Sequence, residues 1–139
     1  MTAVDFYSNT PDKLVLARLI AHKAYRRGLD IMIHSTDSRV LAELDRAWWR
    51  DPATGFLPHC AVDAAHAPQT PIVLGADIGQ LAHSDVLINL GDATPGFFSR
   101  FQRLIEIVST DDADRNSARQ RWRFYQQRGY ATTNHDMSK

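Results

Sequence analysis

The sequence predicts an α/β protein in which helices cover both faces of a mostly parallel sheet of about five strands. Short apolar runs alternate along the chain with longer segments that repeat apolar residues every three to four positions, as in strands followed by helices. Two of the runs, "PIVLGA" and "DVLINL", are continuous, which is typical of strands covered on both faces. The 139 residues contain no repeat or low-complexity tract. These observations predict a single three-layer, Rossmann-like sandwich.

The first half of the chain predicts two strands and two helices. The run "AVDFY" (residues 3–7) is short and β-prone, and the following "SNTPD" offers cap residues at positions 8–10 ahead of Pro11. The first helix is expected to end at Gly28, and "DIMIH" (residues 30–34) predicts a buried strand. The second helix is indicated by an apolar stripe that consists of Val40, Leu41, Leu44, Ala47 and Trp48.

The second half begins with a loop and continues with strands. Residues 51–70 are rich in Pro, Ala and Thr, which favours a loop with room for a short strand near residues 60–62. The two continuous apolar runs predict strands at residues 71–76 and 85–90. A turn and a short helix are expected in "GDATPGFFSRF", before a last strand at residues 103–109.

The final helix is predicted to follow "TDDAD", whose acidic side chains suit the positive end of a helix. It should run to about Gly129. We therefore expect one α/β domain over residues 1–130 and a flexible tail over residues 131–139.

The charge balance argues against a general binder of nucleic acid. Sixteen basic and sixteen acidic side chains cancel, whereas proteins that neutralise many phosphates usually carry a basic surplus. Cys60 is the single cysteine and cannot form an internal disulfide, which suits a reducing cytoplasm. The N-terminal segment has neither the basic region nor the long apolar stretch of a secretion signal. A cytoplasmic location is therefore expected.

The chemistry-bearing residues do not form a recognisable catalytic, metal or cofactor motif. No glycine-rich phosphate loop follows the first strand, and "GADIG" (residues 75–79) is more typical of a turn. The six histidines lack the spacing of metal ligands, and nothing marks Cys60 as an activated nucleophile. We expect a noncatalytic protein without metal or cofactor. The alternatives that stay open are a small Rossmann-like nucleotide-binding enzyme and a direct binder of single-stranded nucleic acid.

The last helix carries the most distinctive surface pattern of the sequence. Five arginines and no acidic residue lie between positions 115 and 128. Helical spacing places Arg115, Arg119, Trp122, Arg123 and Gln126 on one face. Guanidinium groups bind carboxylates in a bidentate manner, and the indole adds an apolar wall. The stripe therefore suits an acidic peptide with an apolar anchor, although a solvated helix face or a site for single-stranded nucleic acid would share part of this pattern.

A second candidate surface follows the second helix, in "RAWWRDPATGFLPH". Trp48 fits the inward stripe, whereas Trp49 is rotated by about 100° and need not be buried. Phe56, Leu57 and Pro58 follow in a loop. Together these side chains predict either an exposed apolar patch, which tends to mark a protein partner site, or a loop that folds back over the core.

Segments along nearly the whole chain resemble the chi subunit family of the bacterial DNA polymerase III holoenzyme. The resemblance rests on "DFY", "AYRRG", "LDRAWWRDPATGFLPH", "SDVLINL" and "ARQRWRFYQQRGY", which occur in the expected order. Its most specific part is a W-x-x-P-x-x-x-F-x-P-H pattern followed by the arginine and aromatic helix. In this chain the pattern consists of Trp49, Pro52, Phe56, Pro58 and His59.

The resemblance implies a noncatalytic adaptor that links the psi subunit of the clamp loader to single-stranded-DNA-binding protein, SSB. The SSB tail is acidic and ends in a hydrophobic residue with a free carboxylate. Two departures from the family are Trp122 in place of a tyrosine, which keeps the aromatic wall, and Gln126 in place of a basic residue. The positions that match the family's tail site are Val108, Arg115, Arg119, Trp122 and Arg123.

The resemblance also implies a second binding surface for psi. Its matching positions are Trp49 and Phe56, with Pro58 beside them. In some bacteria a helicase of the XPD group uses the same patch, so such a helicase is a further expected partner there.

Overall fold

A computed structural model of the chain describes residues 2–50, 58–79 and 81–138, apart from the side chains of residues 49 and 50. Its strands are β1 (Ala3–Thr10), β2 (Ile31–His34), β3 (His59–Ala61), β4 (Ile72–Gly75), β5 (Val86–Asn89), β6 (Arg103–Ser109) and β7 (Thr132–Asp136). Its α-helices are α1 (Lys13–Arg26), α2 (Ser38–Arg50) and α3 (Asp112–Gln127). Short 3-10 helices occupy Ala67–Gln69 and Phe98–Arg100.

The described strands form one parallel sheet in the order β3-β4-β2-β5-β6-β1-β7. On one face α1 and α2 pack against the sheet through residues such as Ala17, Leu44 and Trp48. On the other face α3 packs through Ala118 and Tyr125. The central strands β2, β4 and β5 are buried along their whole length, as continuous apolar runs require when both faces are covered. The predicted α/β sandwich is therefore confirmed.

The sheet has seven strands among the described residues, where the sequence indicated about five. The short strand anticipated near residues 60–62 is β3, whereas β7 lies where the sequence indicated a flexible tail. β7 pairs in parallel with β1 at the sheet edge. Its sequence, "TTNHD", carries no apolar alternation, because an edge strand with exposed side chains can be held by main-chain hydrogen bonds to its neighbour.

One helix boundary differs from expectation. Asp12, and not a residue at positions 8–10, caps α1 by accepting hydrogen bonds from the backbone of the first turn, because β1 continues to Thr10. The helix ends where predicted, with Gly28 in the left-handed region at φ 78°. The short helix expected after β5 is the 3-10 helix Phe98–Arg100.

Candidate functional site

A surface pocket of about 300 Å³ lies where the carboxyl ends of β1 and β6 meet α3. It collects residues that are far apart in sequence, from the first strand to the last. Four of the five positions expected from the family's tail site share this pocket. Its lining consists of Phe6, Ser8, Asn9, Val108, Arg115, Ala118, Arg119, Trp122 and Asn134.

The floor of the pocket is apolar. Phe6 of β1 and Val108 of β6 are both buried and belong to the core cluster beneath α3. Trp122 is half-buried and packs edge-on against Phe6, with ring centroids 5.1 Å apart. Ala118, one turn before Trp122, leaves the floor open because its side chain is small. This floor offers apolar area to a ligand that brings an apolar side chain.

One wall of the pocket is cationic. Arg115 and Arg119 are exposed residues one turn apart on α3. The Arg115 guanidinium lies 3.8 Å from the carboxylate of Asp112, which is itself exposed. Arg119 Nη1 donates a hydrogen bond to the neutral amide oxygen of Asn116 at 3.0 Å, and no carboxylate of the described residues pairs with it. Both guanidiniums therefore keep donors available for an added anion.

The opposite wall is polar and uncharged, and sequence reasoning did not find it. It consists of Ser8 and Asn9 at the end of β1 and Asn134 on β7. Asn9 has φ 57°, a left-handed conformation that Asn tolerates better than most residues. The sequence signal that could have found this wall is weak, since it depends on knowing that the last residues form a strand.

The remaining predicted site residues lie elsewhere. Arg123 is exposed on α3 but does not line the pocket. Gln126, further along α3, donates from Nε2 to Thr132 Oγ1 at 3.4 Å. Pro58 is half-buried just before β3. The side chain of Trp49 and the whole of Phe56 lie outside the described residues, so the predicted psi surface is described only at Pro58.

A buried polar network lies behind the pocket and fixes α3 on the sheet. Glu106 of β6 is fully buried, and its Oε2 lies 3.2 Å from Arg121 Nε. The Tyr125 hydroxyl donates to the same oxygen at 2.6 Å, and Asn89 Nδ2 donates to Oε1 at 3.0 Å. Since Arg121 and Tyr125 project from the inner face of α3, this network sets the rotation of the helix and so places Arg119 and Trp122 at the pocket.

Burial controls the titration of this network. Removal from water raises the pKa of the Glu106 carboxyl, and the Arg121 guanidinium together with hydrogen bonds from Tyr125 and Asn89 opposes that rise. Burial, with the neighbouring Glu106 charge, also raises the pKa of the Tyr125 hydroxyl. Tyr125 therefore stays protonated and donates its hydrogen bond throughout the physiological range.

A second set of contacts anchors the start of α3. Asp111 caps the helix by accepting a hydrogen bond from Asp114 N at 3.1 Å. Asp114 Oδ2 accepts from Ser109 N at 2.8 Å and from Lys13 Nζ at 3.2 Å. These contacts tie α3 to the end of β6 and to the start of α1, beside the pocket.

Asp114→Asn is expected to lower the free energy of unfolding by about 1–2 kcal/mol at neutral pH, because the anchor loses charge-assisted hydrogen bonds. Burial raises the pKa of Asp114, but the hydrogen bonds from Ser109 and the Lys13 charge outweigh it and hold the pKa below its ordinary value of 3.8. A pKa that is lower in the folded state stabilises the fold above the unfolded value. That stabilisation is lost as the pH falls through the folded value.

Urea unfolding of wild type and Asp114→Asn at pH 7 and at about pH 3 checks this expectation. The difference between the two proteins should shrink at the lower pH. A difference of the same size at both pH values would show that the Asp114 charge does not carry the anchor.

Among the described residues, no group of three or more His, Cys, Asp or Glu side chains is placed to hold a metal ion. No helix within the described residues is long and apolar enough to cross a membrane. The features that the structure does bring together are an apolar floor, a pair of arginines and a polar wall.

The fold and the pocket define an α/β protein of the Rossmann-like class with a small arginine- and aromatic-lined binding pocket. A family model described as "DNA polymerase III chi subunit, HolC" matches residues 1–133. The chain belongs to this family, whose members are accessory subunits of DNA polymerase III.

Curated relatives agree with this assignment. The chain is similar to DNA polymerase III subunit chi of Pseudomonas aeruginosa, with 34% identity over 143 aligned positions that cover 100% of this chain and 99% of the relative. It is also 32% identical to subunit chi of Haemophilus influenzae, over 80% of this chain and 78% of the relative. Identity to subunit chi of Escherichia coli is 26%, over 80% of this chain and 76% of the relative.

Proposed function

We propose that this replication accessory subunit binds the acidic C-terminal tail of SSB in the pocket between β1, β6 and α3, and joins that tail to the clamp loader through a psi-type subunit. The observation that carries the first half is the pairing of a free cationic wall with an apolar floor. Arg119 has no carboxylate partner of its own among the described residues, and Trp122 packs beside it over Phe6. This arrangement suits a ligand that presents an anion and an apolar side chain together.

The size of the pocket supports a short chain end as the ligand. Its volume of about 300 Å³ lies at the lower end of the ~300–1,000 Å³ range of ligand pockets. A terminal apolar side chain with its carboxylate needs one such depression, and further acidic residues can follow the exposed arginines along α3.

Direct binding of single-stranded nucleic acid is the weaker alternative. The formal net charge is zero, and the pocket offers two arginines and one half-buried indole in place of a long basic groove with several stacking rings. Binding of a short acidic tail, by contrast, needs only the local positive charge of Arg115 and Arg119.

The tail-binding half is tested by fluorescence anisotropy with two labelled peptides of the same sequence, acidic and ending in a large apolar residue. One peptide has a free C-terminal carboxylate and the other a C-terminal amide. We expect the free acid to bind about tenfold more tightly, because a charge-assisted hydrogen bond contributes about 1.5 kcal/mol or more. Affinity for both peptides should fall with added salt. Equal binding of the two peptides would contradict a site that recognises the chain end.

The psi-linking half rests on the second surface. Trp48 of α2 is buried and packs edge-on against His59 of β3, with ring centroids 5.1 Å apart. Of the two adjacent tryptophans, Trp48 is therefore part of the core. Trp49 is one helical step further around α2, so its position suits a surface role together with Phe56 and Pro58. A helicase of the XPD group is the competing occupant of this proposed surface.

Phe56→Ala is expected to release the psi-type subunit in a pull-down with purified psi, since a buried aromatic anchor usually contributes about 2 kcal/mol or more to an interface. The same variant should retain the SSB tail peptide. Arg119→Ala serves as the matched control and should show the reverse pattern. If Phe56→Ala captured psi as well as wild type does, the assignment of this surface would be wrong.

A further inference from the structure

The uncharged wall of the pocket begins at an irregularity in the pairing of β1 with β6. Along Ala3–Tyr7 the strands β1 and β6 pair residue for residue. Between Tyr7 and Thr10 the register shifts, so that Tyr7 pairs with Ile107 and Thr10 pairs with Ser109. β1 therefore holds one extra residue here, and bulges of this kind redirect side chains next to functional sites.

The bulge directs Ser8 and Asn9 into the pocket. Asn9 adopts its left-handed φ of 57° at this point. Its Nδ2 donates to Asp136 Oδ1 at 3.0 Å, which ties the bulge to β7 and fixes the orientation of the Asn9 amide. The amide oxygen of Asn9 makes no hydrogen bond within the described residues, so it remains an available acceptor.

Asn134 completes the wall from the neighbouring strand. It pairs in register with Phe6, lines the pocket and is exposed. Within the described part of the chain its side chain makes no hydrogen bond, so its donors and its acceptor are all available. A primary amide can both donate to a carbonyl and accept from an N–H, which is the complement of a peptide main chain.

The charges around the pocket orient a ligand between the two walls. Arg115 and Arg119 attract carboxylates to the α3 side. The wall formed by Ser8, Asn9 and Asn134 carries no charged side chain of its own. An acidic peptide would thus place its carboxylates on α3 and its main chain against the amides.

We propose that Asn134, together with Asn9 held by Asp136, hydrogen-bonds the main chain of the bound peptide and acts as a specificity-determining wall for this site. The inference rests on the proposed tail-binding function. It adds a salt-independent contact, made by residues of β1 and β7, to the salt-dependent contacts made by α3. Asn134 supplies the free amide that bonds the peptide. Asn9 contacts the peptide with its amide oxygen, while its amide nitrogen is held by Asp136.

The test compares Asn134→Ala with Thr133→Ala, a neighbouring exposed residue of β7 whose side chain points to the opposite face of the sheet. Binding of the acidic free-carboxylate peptide is measured by anisotropy over a range of salt. We expect Asn134→Ala to weaken binding about three- to tenfold without changing the salt dependence, because a neutral hydrogen bond is lost. Thr133→Ala should bind like wild type, and Arg119→Ala should reduce the salt dependence.

Two further measurements separate this inference from the function on which it rests. Asn134→Asp should weaken binding more than Asn134→Ala at low salt, since it places a carboxylate toward an acidic ligand. A second peptide carries an ester in place of a main-chain amide near its C-terminus. Wild type should bind this ester peptide more weakly than the all-amide peptide. Asn134→Ala should bind the two peptides equally, because the hydrogen bond that the ester removes is already absent. If Arg119→Ala weakens peptide binding but Asn134→Ala binds the peptide as tightly as Thr133→Ala does, Asn134 makes no contact that contributes to affinity and this inference is wrong. If wild type binds no tail peptide, the proposed function fails and this inference with it.

Discussion

Arg119→Ala is expected to weaken binding of the acidic tail peptide by about 2 kcal/mol, or roughly 30-fold. Within the described part of the chain, the Arg119 guanidinium at the pocket has only the neutral Asn116 amide as a partner, so it keeps donors for a carboxylate. Without Arg119, a carboxylate of the bound peptide loses its bidentate guanidinium partner beside Trp122. Arg119→Lys should recover only part of the loss, because an ammonium group cannot bind both carboxylate oxygens in the same plane.

Two arginines of the same helix provide controls. Arg128 lies at the end of α3 and stacks over Phe124, with its guanidinium carbon 4.7 Å from the ring centroid. Arg128→Ala removes the same charge away from the pocket and should weaken binding less than about threefold. Arg115→Ala should fall between the two, since Asp112 already stands 3.8 Å from its guanidinium. Equal losses for the Arg119 and Arg128 variants would show that general charge, and no defined pocket, holds the peptide.

Glu106→Ala is expected to lower the free energy of unfolding by about 3–5 kcal/mol. The change leaves the buried Arg121 of α3 without its counter-charge, and it removes the acceptor of the Tyr125 hydroxyl and one acceptor of the Asn89 amide. Because domains of this size are stable by only about 5–15 kcal/mol, the loss is a large share of the total. Urea unfolding followed by circular dichroism measures it.

Replacement of both charged partners is the matched control for this network. Glu106→Leu combined with Arg121→Met removes the buried charges together, and apolar replacements of buried ion pairs are often neutral or stabilising. The double variant should therefore be more stable than Glu106→Ala by at least about 1 kcal/mol. A loss below about 1 kcal/mol for Glu106→Ala would contradict the view that this network fixes α3 on the sheet.

The sequence predicted the α3 side of the pocket because a helix has a regular period. Arg115, Arg119 and Trp122 fall within roughly 60° of one another around the helix axis and do line one pocket. Arg123 is roughly 80° from Arg115 on the same projection, which takes it past the pocket edge. Its assignment to the tail site remains a prediction from the family resemblance.

The β1 and β7 side of the pocket could not be predicted in the same way. A bulge depends on how two strands pair, and the "SNT" segment gives no sign that β1 holds one residue more than β6 at this point. β7 is a polar edge strand, so it lacks the apolar pattern from which strands are predicted. The apolar central strands, by contrast, were predicted within one or two residues because their burial on both faces selects continuous apolar runs.

A crystal structure of the chain bound to an acidic peptide with a free, apolar C-terminal residue tests the central claim most directly. The account predicts that the terminal side chain contacts Phe6, Val108 and Trp122, and that a carboxylate lies within about 3.2 Å of the Arg119 guanidinium. A complex in which the peptide is bound on another surface, with this pocket open to solvent, would contradict the account.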